Sequence, residues 1–88
     1  MGRVVWTDEA FETLDRITDY VAAFNQGAAE HLSRRLIAAA ESLADYPERG
    51  KPLSNGLRQL GTIYPYLIRY RVRDGEVLIL RIRHGARL

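Results

Sequence analysis

The sequence contains no cysteine. That excludes a disulfide framework and any thiolate metal site. Its two histidines, His31 and His84, lie far apart in the chain and make no zinc site by themselves. No apolar run approaches the roughly 20 residues that a membrane-spanning helix needs. The first residues hold no signal-like apolar core and turn charged by Asp8. Repeats, low-complexity runs and Ser/Gly linkers are also missing. Together these absences point to a reduced, cytoplasmic protein with no membrane partner, no metal and no cofactor. The 88 residues have room for one domain, residues 1–88, and an apolar share of 47% is too high for a disordered chain.

What is present is an uneven distribution of charge. The net charge of +2 conceals it. Residues 1–48 carry four basic and nine acidic groups, a net of −5, whereas residues 49–88 carry nine basic and two acidic groups, a net of +7. Asymmetry of this size points to an acidic or polyanionic partner for the C-terminal half. The plainer alternative is a basic sheet lying against an acidic helical layer.

Hydrophobic spacing divides the chain into elements. Arg3–Trp6 reads as a short strand. Thr7 suits a helix N-cap, with Asp8 and Glu9 in the first turn, where the helix dipole favours carboxylates. Phe11, Leu14, Ile17, Val21 and Phe24 then recur at spacings of three and four, one face of an amphipathic helix. Asn25-Gln26-Gly27 stops it, with Gly27 as a left-handed cap. A second helix carries Leu32, Leu36, Ala39, Ala40 and Leu43 and ends before Pro47. The short break implies an antiparallel helical hairpin. Residues 47–52 read as a loop, and 57–63, 66–73 and 76–84 as strands.

The Asp74-Gly75 turn bears on register. A two-residue turn would place Ile68 opposite Arg81 and mix charged with apolar groups on both faces. A three-residue loop with Gly75 in a bulge pairs Val72 with Glu76. Ile68, Tyr70, Val72, Leu78, Leu80 and Ile82 then share one face. Arg69, Arg71, Arg81 and Arg83 share the other with Leu67, Val77 and Ile79. A slip of one residue exchanges the faces, so segregation favours the bulged loop. The resulting class is α+β: an N-terminal helical hairpin packed on a small, mostly antiparallel sheet whose other face is rich in arginine. Tyr66, Tyr70 and Trp6 are expected in packing roles rather than stacked on bases.

Several segments then line up in order: Val5-Trp6-Thr7, Ile17-Thr18-Asp19-Tyr20-Val21-Ala22, the Asn25…Ala28-Ala29 break, Tyr46-Pro47-Glu48-Arg49-Gly50-Lys51-Pro52, Gly56-Leu57-Arg58-Gln59-Leu60, Pro65 to Val72, and Ile79 to Arg87. In that order, over nearly the whole chain, the sequence resembles the RelE/ParE superfamily, closest to its ParE-like plasmid-stabilisation branch. The resemblance implies a bacterial toxin held silent by a cognate antitoxin in a toxin–antitoxin hetero-oligomer. It implies one of two targets. ParE-like members poison DNA gyrase without known catalytic chemistry. RelE-like members are endoribonucleases that cut mRNA on the ribosome.

Cleavage through a 2′-OH needs a base, an acid and cations for the phosphorane charge. His84 and Glu48 are the acid–base candidates, with Arg81 and Arg58 as cations. Against these stand a strand-end histidine that fills the sheet margin and a solvated loop carboxylate. RNase-branch members usually carry a richer basic site with a C-terminal tyrosine or histidine; this sequence has no tyrosine after Tyr70, so the resemblance favours the gyrase reading and a non-enzymatic protein. For antitoxin or target contact the candidates are Lys51, Arg58, Arg69, Arg71, Arg81, Arg83 and Arg87. Arginine's planar fork suits carboxylate and phosphate. Arg69 departs from the family pattern, in which an apolar residue is common there. A non-toxic relative that only binds antitoxin or nucleic acid is the further alternative.

Overall fold

A computed structural model describes residues 2–85. Strand β1 (Arg3–Trp6) leads into helices α1 (Asp8–Ala22) and α2 (Gln26–Glu41). A 3-10 turn (Ser42–Ala44) and a loop follow, then β2 (Lys51–Pro52), β3 (Leu57–Ile63), β4 (Tyr66–Arg73) and β5 (Glu76–His84). The strands form one sheet in the order β1-β5-β4-β3-β2. The β1–β5 pair is parallel; the other three are antiparallel. The two helices cover one face. Among the described residues no helix is long and apolar enough to cross a membrane.

Thr7 caps α1 as its position predicts, its Oγ1 accepting from the Ala10 amide at 3.1 Å. The same hydroxyl lies within hydrogen-bond reach of the Ile79 and Leu80 carbonyls, at 2.9 and 3.0 Å. This ties the start of the helix to β5. Between the helices the expectation fails in one detail. Gly27 is not a left-handed cap but the second residue of α2. The break is governed instead by Asn25, whose Oδ1 accepts from the Ala28 amide at 2.9 Å. Asparagine is among the strongest N-capping residues, and here it starts a helix rather than ending one.

Leu14 and Ala10 of α1 meet Leu36, Ala39, Ala40 and Leu43 over a sheet floor of Leu60, Ile68, Tyr70, Val77, Ile79 and Ile82. The register that places this floor differs from the expected one. Asp74 and Gly75 both have positive φ, 52° and 77°. Such a pair closes a two-residue hairpin of the primed type, whose twist matches the strands. Arg73 therefore pairs with Glu76 and Val72 with Val77. The bulge exists, but it lies within β5: Tyr70 pairs with Ile79 and Arg69 with Arg81, leaving Leu80 as the extra residue. Val77 and Ile79 consequently face the helices and are buried, while Leu78 and Leu80 are only half-buried. Beyond the bulge the faces exchange, so Ile82 also points to the core opposite Ile68. A bulge adds one residue to one strand and re-aims the side chains beyond it.

Candidate functional site

The bulge leaves the expected arginine face intact. Arg69 and Arg81 are cross-strand partners, Leu67 pairs with Arg83, and Arg71 with Leu78. By strand alternation all start on the sheet face away from the helices, but Arg81 and Arg83 reach round the free edge of β5 toward α1. Pairing extends the Arg69 level further: Gln59 of β3 lies opposite Arg69, and Lys51 of β2 opposite Gln59. One register line thus crosses four strands as Lys51, Gln59, Arg69 and Arg81.

Their environments differ. Arg81 is half-exposed and its Nε lies 3.4 Å from a Glu9 carboxylate oxygen at the start of α1. Arg69 is half-buried and donates to Gln59 Oε1 at 2.9 Å. Its Nε is buried with no hydrogen-bond partner among the described residues. Lys51 is exposed on the edge strand. Arg71 donates to the Asn55 carbonyl at 2.7 Å, holding the turn before β3.

Arg58 shares the opposite face. It donates to the Gly50 and Glu48 carbonyls, binding the loop that precedes β2. The fully buried Tyr70 completes this clamp: its hydroxyl donates to the Pro47 carbonyl at 2.7 Å and accepts from the Gly50 amide at 2.9 Å. Gly50 has no space for a side chain, since a Cβ there would meet the Tyr70 ring at 2.7 Å. Arg58 thereby holds the loop that leads into Lys51.

A groove of about 460 Å³ runs between α1 and the end of β5. It opens because β1 pairs only with Glu76–Ile79 and leaves the rest of β5 facing α1. Thr13, Ile17 and Ile82 line it, with Arg16, Arg81 and Arg83 as cations and Tyr20, Tyr66 and His84 as aromatic groups. The Thr13 hydroxyl accepts from the Ile82 amide at 2.9 Å and so occupies this part of the strand edge. His84 lies edge-on to Tyr66, with ring centroids 5.4 Å apart.

The candidate residues thus fall into groups. Lys51, Arg69, Arg71, Arg81 and Arg83 gather on the open face, with Arg81 and Arg83 also lining the groove. His84 lines the groove, whereas Glu48 is exposed in the clamped loop and makes no ion pair among the described residues. Glu48 lies in the loop before β2, whereas His84 ends β5, and β3 and β4 stand between those two strands in the sheet. Arg87 lies outside the described residues. Sequence reasoning missed Thr13, Arg16 and Tyr20, although they recur at helical spacing along one border of the apolar stripe of α1. It also missed Glu9 as a partner for Arg81; nothing in the local pattern joins residues 72 positions apart.

The family described as "ParE toxin of type II toxin-antitoxin system, parDE" matches residues 4–88. The chain is 51% identical over 88 residues to Toxin RelE2 of Caulobacter vibrioides, with 100% of both chains covered. Its backbone is similar to a chain in a solved structure of the chromosomal ParDE TA system from P. aeruginosa. The TM-score there is 0.82, with 28% identity and 96% of each chain covered. With matching residues along almost its whole length and this helical hairpin on a five-stranded sheet, the chain belongs to the ParE/RelE family and is a toxin of a type II toxin–antitoxin system.

Proposed function

We infer that this toxin acts in the cytoplasm by inhibiting DNA gyrase, without catalysis, and is neutralised by a cognate antitoxin. The observation that carries the non-catalytic reading is the separation of Glu48 from His84. General acid and base must both come within hydrogen-bond reach of one reacting phosphodiester. Glu48 precedes β2 and His84 ends β5, with β3 and β4 between them, which argues against the two serving one scissile bond. The match to ParE toxins supports gyrase as the target. The groove supports an antitoxin segment with apolar anchors over Ile17 and Ile82 and carboxylates on Arg16, Arg81 and Arg83. Such a segment orders as it binds. A supercoiling assay with purified gyrase tests the target: dose-dependent loss of supercoiling is expected, and unchanged supercoiling at large toxin excess would sink this reading.

One observation favours ribosome-dependent mRNA cleavage as a second reading. His84 shares the groove with Arg81 and Arg83, an imidazole beside two cations. Primer extension on translated mRNA after induction separates the two. Codon-linked cuts abolished by His84→Ala would support cleavage. Under the gyrase reading His84→Ala retains toxicity and no cuts appear.

A further inference from the structure

An open sheet has two edges, and each presents unpaired N–H and C=O groups that invite another strand. At one edge β2 is only Lys51-Pro52, a charge followed by a residue with no donor. At the other, β5 is free only beyond Ile79, and there Thr13 holds the Ile82 amide. The remaining edge is β1, which carries no such device. Three of its four residues, Val4, Val5 and Trp6, are apolar, and it pairs with β5 without a bulge.

The backbone groups of β1 alternate in direction. The Arg3 and Thr7 amides donate to the Gly75 and Ile79 carbonyls, so Val5 between them also faces β5. Gly2, Val4 and Trp6 therefore point their backbone groups outward. The Gly2 amide is taken by the Ala44 carbonyl at 2.8 Å. Among the described residues the outward backbone groups of Val4 and Trp6 have no partner. Their side chains lie on the helix side, where the Trp6 ring stacks on the half-exposed Phe11 with centroids 5.6 Å apart.

This edge matches itself under a two-fold rotation. With Val5 set opposite Val5 of an antiparallel second copy, Val4 lies opposite Trp6 of that copy. The pair exchanges both N–H···O bonds, and symmetry repeats it. Val4 then covers the Trp6–Phe11 stack of the second copy. Charge also agrees. The Arg3 side chain is 80% exposed, with its Nε 3.9 Å from Glu76, and it comes opposite Thr7 and within reach of Asp8 of the second copy. We propose that β1 is a homodimer interface, joining two copies edge to edge so that their five-stranded sheets become one. The two-fold axis passes through the sheet, so both arginine sides face the same way and both grooves stay open. The inference goes beyond the gyrase reading and holds whichever target the toxin has.

The test is sedimentation equilibrium of the purified full chain over a micromolar to millimolar dilution series, without gyrase or antitoxin. The mass should rise from 10.0 kDa toward twice that value. Trp6 is the sole tryptophan, so its emission reports this edge directly and should shift to the blue over the same concentrations. Val4→Pro removes an outward donor and spares the bonds to β5. It acts twice in the dimer and should weaken association at least about tenfold. Val5→Lys and Val5→Glu each set like charges opposite one another across the axis, so each should be monomeric alone. Mixed in equal amounts, the two should restore a dimer containing one of each. Ile37→Lys, at an exposed apolar position on α2, should leave association unchanged. Circular dichroism confirms that each variant is folded, and the Val5 pair decides the matter should Val4→Pro unfold. A mass of 10.0 kDa at every concentration would overturn the proposal and leave the edge to a strand from another protein. A dimer that folded Val4→Pro does not weaken would overturn it too, as would a Val5→Lys and Val5→Glu mixture that stays monomeric.

Discussion

At the scale of single residues, Tyr70 shows how a buried polar group serves the surface. Its ring fills the core between β3 and β5, and its hydroxyl holds both ends of the Pro47–Gly50 turn. Tyr70→Phe keeps the shape but leaves the Gly50 amide and Pro47 carbonyl without that partner. The expected loss is about 1–3 kcal/mol, read as a lower urea midpoint at unchanged m-value. Thr13 works in the same way from the helix side. Thr13→Val, nearly isosteric, strands the buried Ile82 amide and should cost a similar amount in the same measurement. In both cases a side chain chosen for its volume also completes a backbone hydrogen bond far away in sequence.

At the scale of elements, the β4–β5 hairpin carries the main disagreement between expectation and structure. Segregation of charge was the right criterion, and it correctly placed Arg69, Arg71, Arg81 and Arg83 together. It could not say where along β5 the extra residue would sit. Val77-Leu78-Ile79-Leu80 is four apolar residues in a row, so either parity reads as plausible until tertiary packing chooses. Asp74-Gly75 chose it by closing as a two-residue turn with both residues left-handed. The structural register makes a sharp comparison: Ile79→Ala should cost about 2–5 kcal/mol, whereas Leu80→Ala, at the half-buried bulge, should cost clearly less. Equal losses in chemical denaturation would contradict the bulge position. The strands, the helices and the arginine face were legible because their signals are periodic and local. The groove was not, because it arises where β1 stops short of β5, and strand lengths relative to one another are a property of the assembled sheet.

At the scale of the whole molecule, the charge asymmetry takes on a spatial form. Carboxylates concentrate on the helical layer and guanidinium groups on the sheet, so the protein carries opposite charge on opposite sides. Such a field steers an acidic partner toward one side before contact. For the antitoxin reading, the association rate should fall about tenfold or more between 50 and 500 mM salt, while the dissociation rate changes little. Surface plasmon resonance with an immobilised antitoxin segment reads both. A salt-independent association rate would mean that apolar anchors in the groove, rather than the arginine side, govern recognition.

The parallel β1–β5 pair has a consequence for when the protein comes into being. β5 is the last of the five strands to be synthesised, yet it is the strand that joins β1 to β4 and meets α1. Until residues 76–84 are available, β1 has no partner, α1 has no floor and the groove has only one wall. Translation proceeds at about 5–20 residues per second, N-terminus first, and pairing across more than 70 residues is slow. The nascent chain therefore lacks the assembled groove until then. The sheet that carries both the arginine side and the groove closes only once its final strand has emerged.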